Sequence, residues 1–194
     1  MKRLVLGAAI FTALVFCVLL ALSDRPLFAQ SRGAGRPPSP RANRSQSDVR
    51  VVDLKGLEAA VAANRGKAVL VNFWAIWCEP CVAELPEFLE TGREYRGRNA
   101  VVLTVSYDLM IPDVTRDEVL KKMRAFVAEH KIDAPVFIYD APDYDAINQR
   151  FGLPGPVPAT IAIDATGRIV HRHAGQATRQ QFREMMRKAL GSSQ

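Results

Sequence analysis

The segment NFWAIWCEPCVAELP, residues 72–86, joins an apolar run to a predicted helix and contains two of the three cysteines of the chain. Cys78 and Cys81 are separated by two residues. This spacing occurs in redox-active pairs, in metal-binding knuckles and in short structural disulfides. The function of the chain therefore depends on which of these three arrangements the segment forms.

A zinc knuckle and a structural disulfide both explain the cysteine pair poorly. A structural zinc site needs four Cys or His ligands, often as two paired knuckles, and the sequence offers a single C-x-x-C. His171 and His173 point to one face of a predicted strand, but exposed polar residues on a strand explain that pattern more simply. A disulfide that closes a loop of two residues restricts the unfolded chain very little.

Redox chemistry suits the spacing best. If Cys78 opens the helix, its thiolate lies beside unpaired backbone N–H groups at the positive end of the helix dipole, which lowers the pKa of a thiol. Cys81 follows three residues later on the same helix face, within reach of a mixed disulfide on Cys78. The strand, loop and helix around the pair are the setting that a redox motif requires.

Strands and helices alternate along the rest of the chain. The predicted strands are AVLVNFWA (68–75), NAVVLTVSY (99–107), APVFIYD (134–140), ATIAID (159–164) and RIVHRHAG (168–175). The predicted helices are LEAAVAAN (57–64), CVAELPEFLETGREYRG (81–97), TRDEVLKKMRAFVAEH (115–130), DYDAINQRFG (143–152) and TRQQFREMMRKAL (178–190). Thr115 and Glu118 have the spacing of a capping box, and Thr166 and Gly167 mark a hairpin turn. Parallel units followed by a hairpin predict an α/β fold, with a mixed sheet between helices.

Two sequence landmarks resemble a known family. VLVNFWAIWCEPC resembles the active-site segment of the thioredoxin superfamily, and WCEPCVAELP resembles in particular its membrane-tethered TlpA-like and ResA-like periplasmic reductases. The resemblance covers residues 50–190 and implies a thioredoxin-like mixed central sheet flanked by helices. GPVPATIAID resembles the family loop in which a cis proline faces the cysteines. It implies that Pro158 is this proline, with Val157 offering backbone hydrogen bonds to a substrate segment.

The resemblance also implies roles for residues near the pair. Cytoplasmic thioredoxins have a buried Asp at the position of Asn72, whose amide cannot act as a base. The periplasmic branch instead has a Glu after the second cysteine, which Glu84 matches one helical turn beyond Cys81. A partly buried Glu84 with a raised pKa is expected to accept the proton of Cys81 during resolution. The alternative is that Glu84 is an ordinary solvated helix residue.

A substrate-binding surface is expected around the cysteines. We assign Trp77, Glu79 and Pro80, which flank or separate the pair, to this surface together with Val157 and Pro158. No metal ligands and no cofactor other than the redox-active Cys78–Cys81 pair are predicted.

The N-terminal region predicts export. Residues 4–22 carry no charge over 19 positions and follow two basic residues. Cleaved signal peptides have an apolar region of about 7 to 15 residues, whereas about 20 residues cross a bilayer, so the length favours a retained anchor. Ala29 remains a candidate cleavage position. We therefore predict a signal anchor or signal peptide at 1–29, a disordered linker at 30–48, which is rich in Pro, Gly, Ser and Arg, and a single domain at 49–194.

The net charge of +6 gives little support to a nucleic-acid partner. Residues 1–50 hold 8 of the 26 Lys and Arg residues and 2 of the 20 Asp and Glu residues, so residues 51–194 hold 18 of each and are formally neutral. The basic character belongs to the N-terminal tail, and no nucleic-acid partner is predicted.

The sequence therefore predicts a monomeric thiol-disulfide oxidoreductase on the periplasmic side of the membrane, which reduces protein disulfides with Cys78 as nucleophile and Cys81 as resolving thiol. The resemblance implies a membrane electron donor that reduces it again, and apocytochrome c or copper-site cysteines as substrates.

Two other functions remain open at this point. A peroxiredoxin-like peroxidase has a related fold, but its T-x-x-C motif is absent from IWCEPC. A copper or haem chaperone would use the pair as soft ligands, but no methionine-rich or additional cysteine cluster supports it.

Overall fold

A six-stranded mixed sheet forms the centre of the structure, a computed structural model that describes residues 48–142 and 144–191. Its strands are β1 (Val49–Val52), β2 (Ala68–Trp74), β3 (Ala100–Ser106), β4 (Val136–Tyr139), β5 (Ala159–Ile163) and β6 (Ile169–Ala174). They are ordered β1-β4-β3-β2-β5-β6. The first four in this order run parallel, and β5 and β6 are antiparallel to their neighbours.

Within the described residues, four helices and one 3₁₀ turn lie between these strands, and a fifth helix follows β6. They are α1 (Leu54–Ala62), α2 (Glu79–Glu94), the 3₁₀ turn Asp108–Met110, α3 (Arg116–Glu129), α4 (Tyr144–Phe151) and α5 (Arg179–Ala189). The predicted fold, a mixed sheet flanked by helices, is confirmed. The predicted capping box of Thr115 and Glu118 is also confirmed at the start of α3, and a second one, Thr178 with Gln181, begins α5.

Strand β2 positions the cysteine segment at the middle of the sheet. All seven of its residues are buried, and it pairs with β3 on one side and β5 on the other. Side chains alternate between the two faces of a strand. Trp74 accordingly packs on Phe126 of α3, while its neighbour Phe73 packs on Phe151 of α4. The chain leaves β2 after Trp74 and enters the loop that carries the cysteines.

Helix α2 lies close to the sheet because of a glycine. A Cβ atom at Gly92 would lie 2.5 Å from Cγ2 of Val102 on β3, closer than side-chain carbons approach one another. One turn earlier in α2, Phe88 packs edge to face on Phe182 of α5, with ring centroids 5.3 Å apart. These contacts hold the helix that carries Cys81 and Glu84 against the sheet.

Strand β1 is an element that the sequence analysis missed. Val49–Val52 pairs in parallel with β4, from Val49 opposite Val136 to Val52 opposite Tyr139. Its four residues follow a polar segment and are too few to show a clear periodicity. The strand forms only because β4 offers a free edge for its backbone hydrogen bonds.

The predicted signal segment at 1–29 and the predicted linker at 30–48 lie outside the described residues, apart from Asp48. Within the part of the chain that the structure describes, no helix is long and apolar enough to cross a membrane.

Candidate active site

A disulfide between Cys78 and Cys81 stands at the start of α2. Cys78 is the N-cap residue, Cys81 lies in the first turn, and their Cα atoms are 5.3 Å apart. Pro80 occupies the first turn, where its missing N–H has no helical partner to lose. The backbone N–H of Cys78 donates to the carbonyl of Ala75 over 3.2 Å, which closes the loop before the helix.

The two sulfur-bearing residues differ in their access to solvent. Cys78 retains 6% of its surface, whereas Cys81 is fully buried. A substrate sulfur approaching from solvent therefore meets Cys78. Cys81 is accessible only to groups inside the protein, and the sulfur of Cys78 is one of these because the two are bonded.

Glu84 is buried in the protein interior. Only 1% of its surface is exposed, so Glu84 is more deeply buried than the sequence predicted. One carboxylate oxygen accepts a hydrogen bond of 2.7 Å from the side-chain amide of Asn72, and the other accepts one of 2.6 Å from the backbone N–H of Ala177. The alternative reading of Glu84 as a solvated helix residue is therefore wrong.

Burial raises the pKa of the Glu84 carboxyl above its ordinary value, because the charged form loses its hydration. The hydrogen bonds from Ala177 and Asn72 and the nearby ring of His173 oppose this shift by favouring the carboxylate. The balance leaves Glu84 as a group that takes up a proton more readily than an exposed glutamate does. Such a group suits proton exchange with a buried thiol.

Asn72 is a site residue whose contribution the sequence analysis missed. Its amide nitrogen donates to Glu84 and, over 3.0 Å, to the hydroxyl of Thr160 on β5. Its carbonyl oxygen is buried and accepts no hydrogen bond from the residues that the structure describes. The sequence did contain a signal, a polar amide within the apolar run of β2. The sequence analysis gave Asn72 no role because an amide cannot act as a base. The structure shows that Asn72 binds Glu84, the residue predicted to be the base.

Glu84 also contributes to the lining of a surface cavity of about 320 Å³. Its lining includes Glu84 and Glu87 from α2, and Gln176 and Thr178 from the segment before α5. The cavity brings solvent next to α2 and the segment before α5 at the position of Glu84.

A second buried carboxylate supports the cysteine loop from the end of β3. Asp108 is 3% exposed, and its two oxygens lie 3.2 and 3.1 Å from the backbone N–H of Ile76. The hydroxyl of Ser106 donates to it over 2.6 Å. Burial raises the pKa of Asp108, while the bonds from Ser106 and Ile76 favour its charged form. No feature of the sequence pattern identified this contact, which joins residues 32 positions apart.

The other predicted site residues lie at the same edge of the sheet. The bond between Val157 and Pro158 is cis, and Pro158 directly precedes β5, whose Ala159 lies opposite Phe73 of β2. Pro158 is buried and Val157 is half-buried. Trp77, Glu79 and Pro80 are exposed around the disulfide. Their assignment to substrate binding remains a prediction.

No group of three or more His, Cys, Asp or Glu side chains within residues 48–142 and 144–191 is arranged to hold a metal ion.

Comparison with known proteins identifies the family. A family model described as Redoxin matches residues 42–189. The chain belongs to the Redoxin family. Among curated relatives of this Redoxin protein, the thiol-disulfide oxidoreductase ResA of Bacillus thuringiensis (strain Al Hakam) is 28% identical over 138 residues, which cover 71% of this chain and 72% of that protein. The thioredoxin-like protein YneN of Bacillus subtilis (strain 168) is 29% identical over 139 residues, covering 72% and 75%.

Solved structures confirm the fold of this Redoxin protein. A thiol-disulfide isomerase from Corynebacterium glutamicum superposes with a TM-score of 0.57 at 23% identity, over 68% of this chain and 86% of that one. The family, the thioredoxin-like fold and the paired cysteines together make the protein a ResA-like thiol-disulfide oxidoreductase.

Replacing Glu84 by Gln tests its role as a base. The variant keeps the size of the side chain and removes the proton acceptor, so attack by Cys81 on a mixed disulfide should slow by about 10²-fold or less, because water can also accept the proton. In the parent, the resolution rate should rise with pH through an ionisation above the ordinary value of 4.5, and this step should vanish in Glu84→Gln. Stopped-flow measurement of resolution against pH reads both effects.

Glu90→Gln, on the exposed face of the same helix, is the control. An unchanged pH profile in folded Glu84→Gln would exclude the base.

Replacing Asn72 by Asp tests whether the amide sets the charge of Glu84. Two carboxyl groups at hydrogen-bond distance cannot both ionise readily, so the pair should share one proton and titrate at higher pH than Glu84 alone. The pH step in the resolution rate should move upward. Stability should fall as pH rises through the raised pKa, by roughly 1 to 3 kcal/mol, because the second charge is buried without a partner. Urea unfolding from pH 5 to 9 measures this loss. Asn64→Asp, on a half-buried side chain after α1, should show neither change.

Proposed function

We propose that this thiol-disulfide oxidoreductase is a reductase that works outside the cytoplasm, with Cys78 as nucleophile, Cys81 as resolving thiol and Glu84 as the base for Cys81. The observation that carries the proposal is the difference in burial within the pair. Cys78 is reachable from solvent, while Cys81 is fully buried one helical turn before a buried carboxylate. The two cysteines are therefore suited to different steps.

The first step uses the exposed cysteine. In the dithiol form, the Cys78 thiolate attacks one sulfur of a protein disulfide, forms a mixed disulfide and releases the other substrate sulfur as a thiolate, which takes a proton from water. The start of α2 favours the Cys78 thiolate, because the first N–H groups of a helix have no backbone partner. The substrate is then attached through a single bond to Cys78.

The second step uses the buried cysteine and carboxylate. Glu84 accepts the proton of the Cys81 thiol, and the resulting thiolate attacks the sulfur of Cys78. The bond between Cys78 and the substrate breaks, and the second substrate thiolate leaves. Two electrons have then passed to the substrate, and the Cys78–Cys81 disulfide has formed again. Glu84 returns its proton to solvent through the cavity that it lines.

The location and the partners follow from the N-terminal sequence and the family resemblance. An uncharged stretch at 4–22 after two basic residues supports an anchor with the domain outside the cytoplasm. A membrane protein that donates electrons would return the disulfide to the dithiol form. Cysteines of apocytochrome c or of copper-binding proteins are the substrates that this setting favours.

Replacing each cysteine separately tests the assignment of roles. In the full-length protein, Cys78→Ser should abolish reduction of a protein disulfide, because the attacking sulfur is absent. Cys81→Ser should instead accumulate a mixed disulfide with the substrate, visible on a non-reducing gel and reversed by dithiothreitol. Faster alkylation of Cys81 than of Cys78 in the reduced native protein would reverse the roles.

Fractionation of cells tests the anchor. If residues 4–22 are retained, the protein should sediment with membranes and stay there in high salt, because an apolar helix is not held by charge. Detergent should release it. A soluble form whose N-terminus lies near Gln30 would demonstrate cleavage and would remove the anchor while leaving export intact.

A further inference from the structure

Three of the four exposed large apolar side chains among the described residues lie on two loops that leave one edge of the sheet. Within residues 48–142 and 144–191, four large hydrophobic residues are exposed: Trp77 (49%), Met110 (41%), Ile111 (37%) and Val170 (39%). Val170 lies on the edge strand β6. The other three follow the carboxyl ends of the adjacent strands β2 and β3. Single exposed apolar residues are ordinary, but a group of them at one place marks an interaction surface.

Two hydrogen bonds join the loops that carry these three residues. Strands β2 and β3 run parallel with Trp74 opposite Ser106, so both loops leave the same edge of the sheet. The backbone N–H of Tyr107 donates to the carbonyl of Trp74 over 2.9 Å. Two residues beyond Trp74, the N–H of Ile76 donates to the carboxylate of Asp108, which directly follows Tyr107. The loop after β3 is thereby fastened to the loop that leads into Cys78.

The same bonds limit the distance between the apolar residues. Trp77 is one residue beyond Ile76, and Met110 is two residues beyond Asp108 in a 3₁₀ turn. With consecutive Cα atoms 3.8 Å apart, the Cα atoms of Trp77 and Met110 lie within about 16 Å of each other. An extended segment of five residues spans a similar length. One stretch of a substrate chain attached to Cys78 is therefore long enough to contact both loops.

We propose that Met110 and Ile111, together with Trp77, form an apolar docking surface for a residue that flanks the reacting cysteine in an extended segment of a protein substrate. The occupant follows from the position of the reacting sulfur, because the exposed Trp77 directly precedes Cys78 and a substrate chain attached to Cys78 lies next to it. The flexible thioether of Met110 suits a surface that accepts apolar side chains of different shapes. This inference rests on the proposed reductase function and adds the residues that select its substrates.

The double variant Met110→Ser/Ile111→Ser tests the docking surface in the full-length protein. It should reduce insulin roughly 5- to 20-fold more slowly in kcat/KM, the effect expected for losing partial burial of two apolar side chains. Reduction of hydroxyethyl disulfide, which has no flanking residues, should be unchanged. Val170→Ser removes an apolar side chain of similar exposure on β6 and should leave both rates unchanged. The single variants Met110→Ser and Ile111→Ser provide the same comparison if the double variant does not fold.

A pair of peptides tests the chemistry of the occupant. Two disulfide-linked peptides differ only in having Leu or Ser beside the reacting cysteine, and the parent should prefer the Leu peptide. The double variant should lose most of that preference.

Three results would overturn the docking surface. They are an unchanged rate with insulin, an equal loss with hydroxyethyl disulfide, and a parent dimer that the double variant dissociates. The second result would place the effect at Cys78 itself, and the third would assign the surface to a second copy of this chain. Failure of the proposed function has a separate sign, because the parent would then reduce neither insulin nor hydroxyethyl disulfide.

Discussion

The hydrogen bond between Asn72 and Glu84 joins the central strand of the sheet to the helix that carries both cysteines. It lies among fully buried side chains, where a carboxylate without partners would be strongly unfavourable. Asn72 and the backbone of Ala177 supply the donors that make this carboxylate tolerable. The arrangement requires α2, β2 and the segment before α5 to meet at one place. The packing of Gly92 against Val102 and of Phe88 against Phe182 holds α2 where this contact forms.

Two buried carboxylates serve the cysteine segment in different ways. Asp108 accepts hydrogen bonds from a backbone N–H of the loop and from the hydroxyl of Ser106 at the end of β3, so its oxygens are occupied in holding the loop in place. Glu84 lies on the helix next to a cavity that communicates with solvent, and its pKa is raised by burial. In the proposed mechanism, a proton reaches Glu84 without disturbing the backbone that positions Cys78. That mechanism divides structural support and proton transfer between Asp108 and Glu84.

Sequence reasoning succeeded where a signal was local. The apolar run of β2, the C-x-x-C spacing and the Thr115–Glu118 pair each contain their information within a few residues, and the mixed sheet followed from the alternation of such segments. The contacts of Asn72 with Thr160 and of Asp108 with Ile76 span 88 and 32 positions, and no local period encodes them. The burial of Glu84 also depends on distant residues, because Ala177, which covers it, lies 93 positions farther along the chain. The family resemblance pointed to Glu84, but the extent of its burial required the tertiary structure.

In the proposed mechanism, burial is also the reason that Cys81 is given a base. The low polarity that raises the pKa of Glu84 opposes the formation of a thiolate on a fully buried cysteine. Moving one proton from the thiol to the carboxylate creates no additional charge, because a negative charge disappears from Glu84 as one appears on sulfur. The buried site therefore holds a single negative charge before and after the transfer, and the donors of Asn72 and Ala177 stabilise that charge while it is on Glu84. The transfer costs less than ionising the same thiol alone, and the attack of Cys81 is confined to the sulfur of Cys78, the one that the fold places beside it.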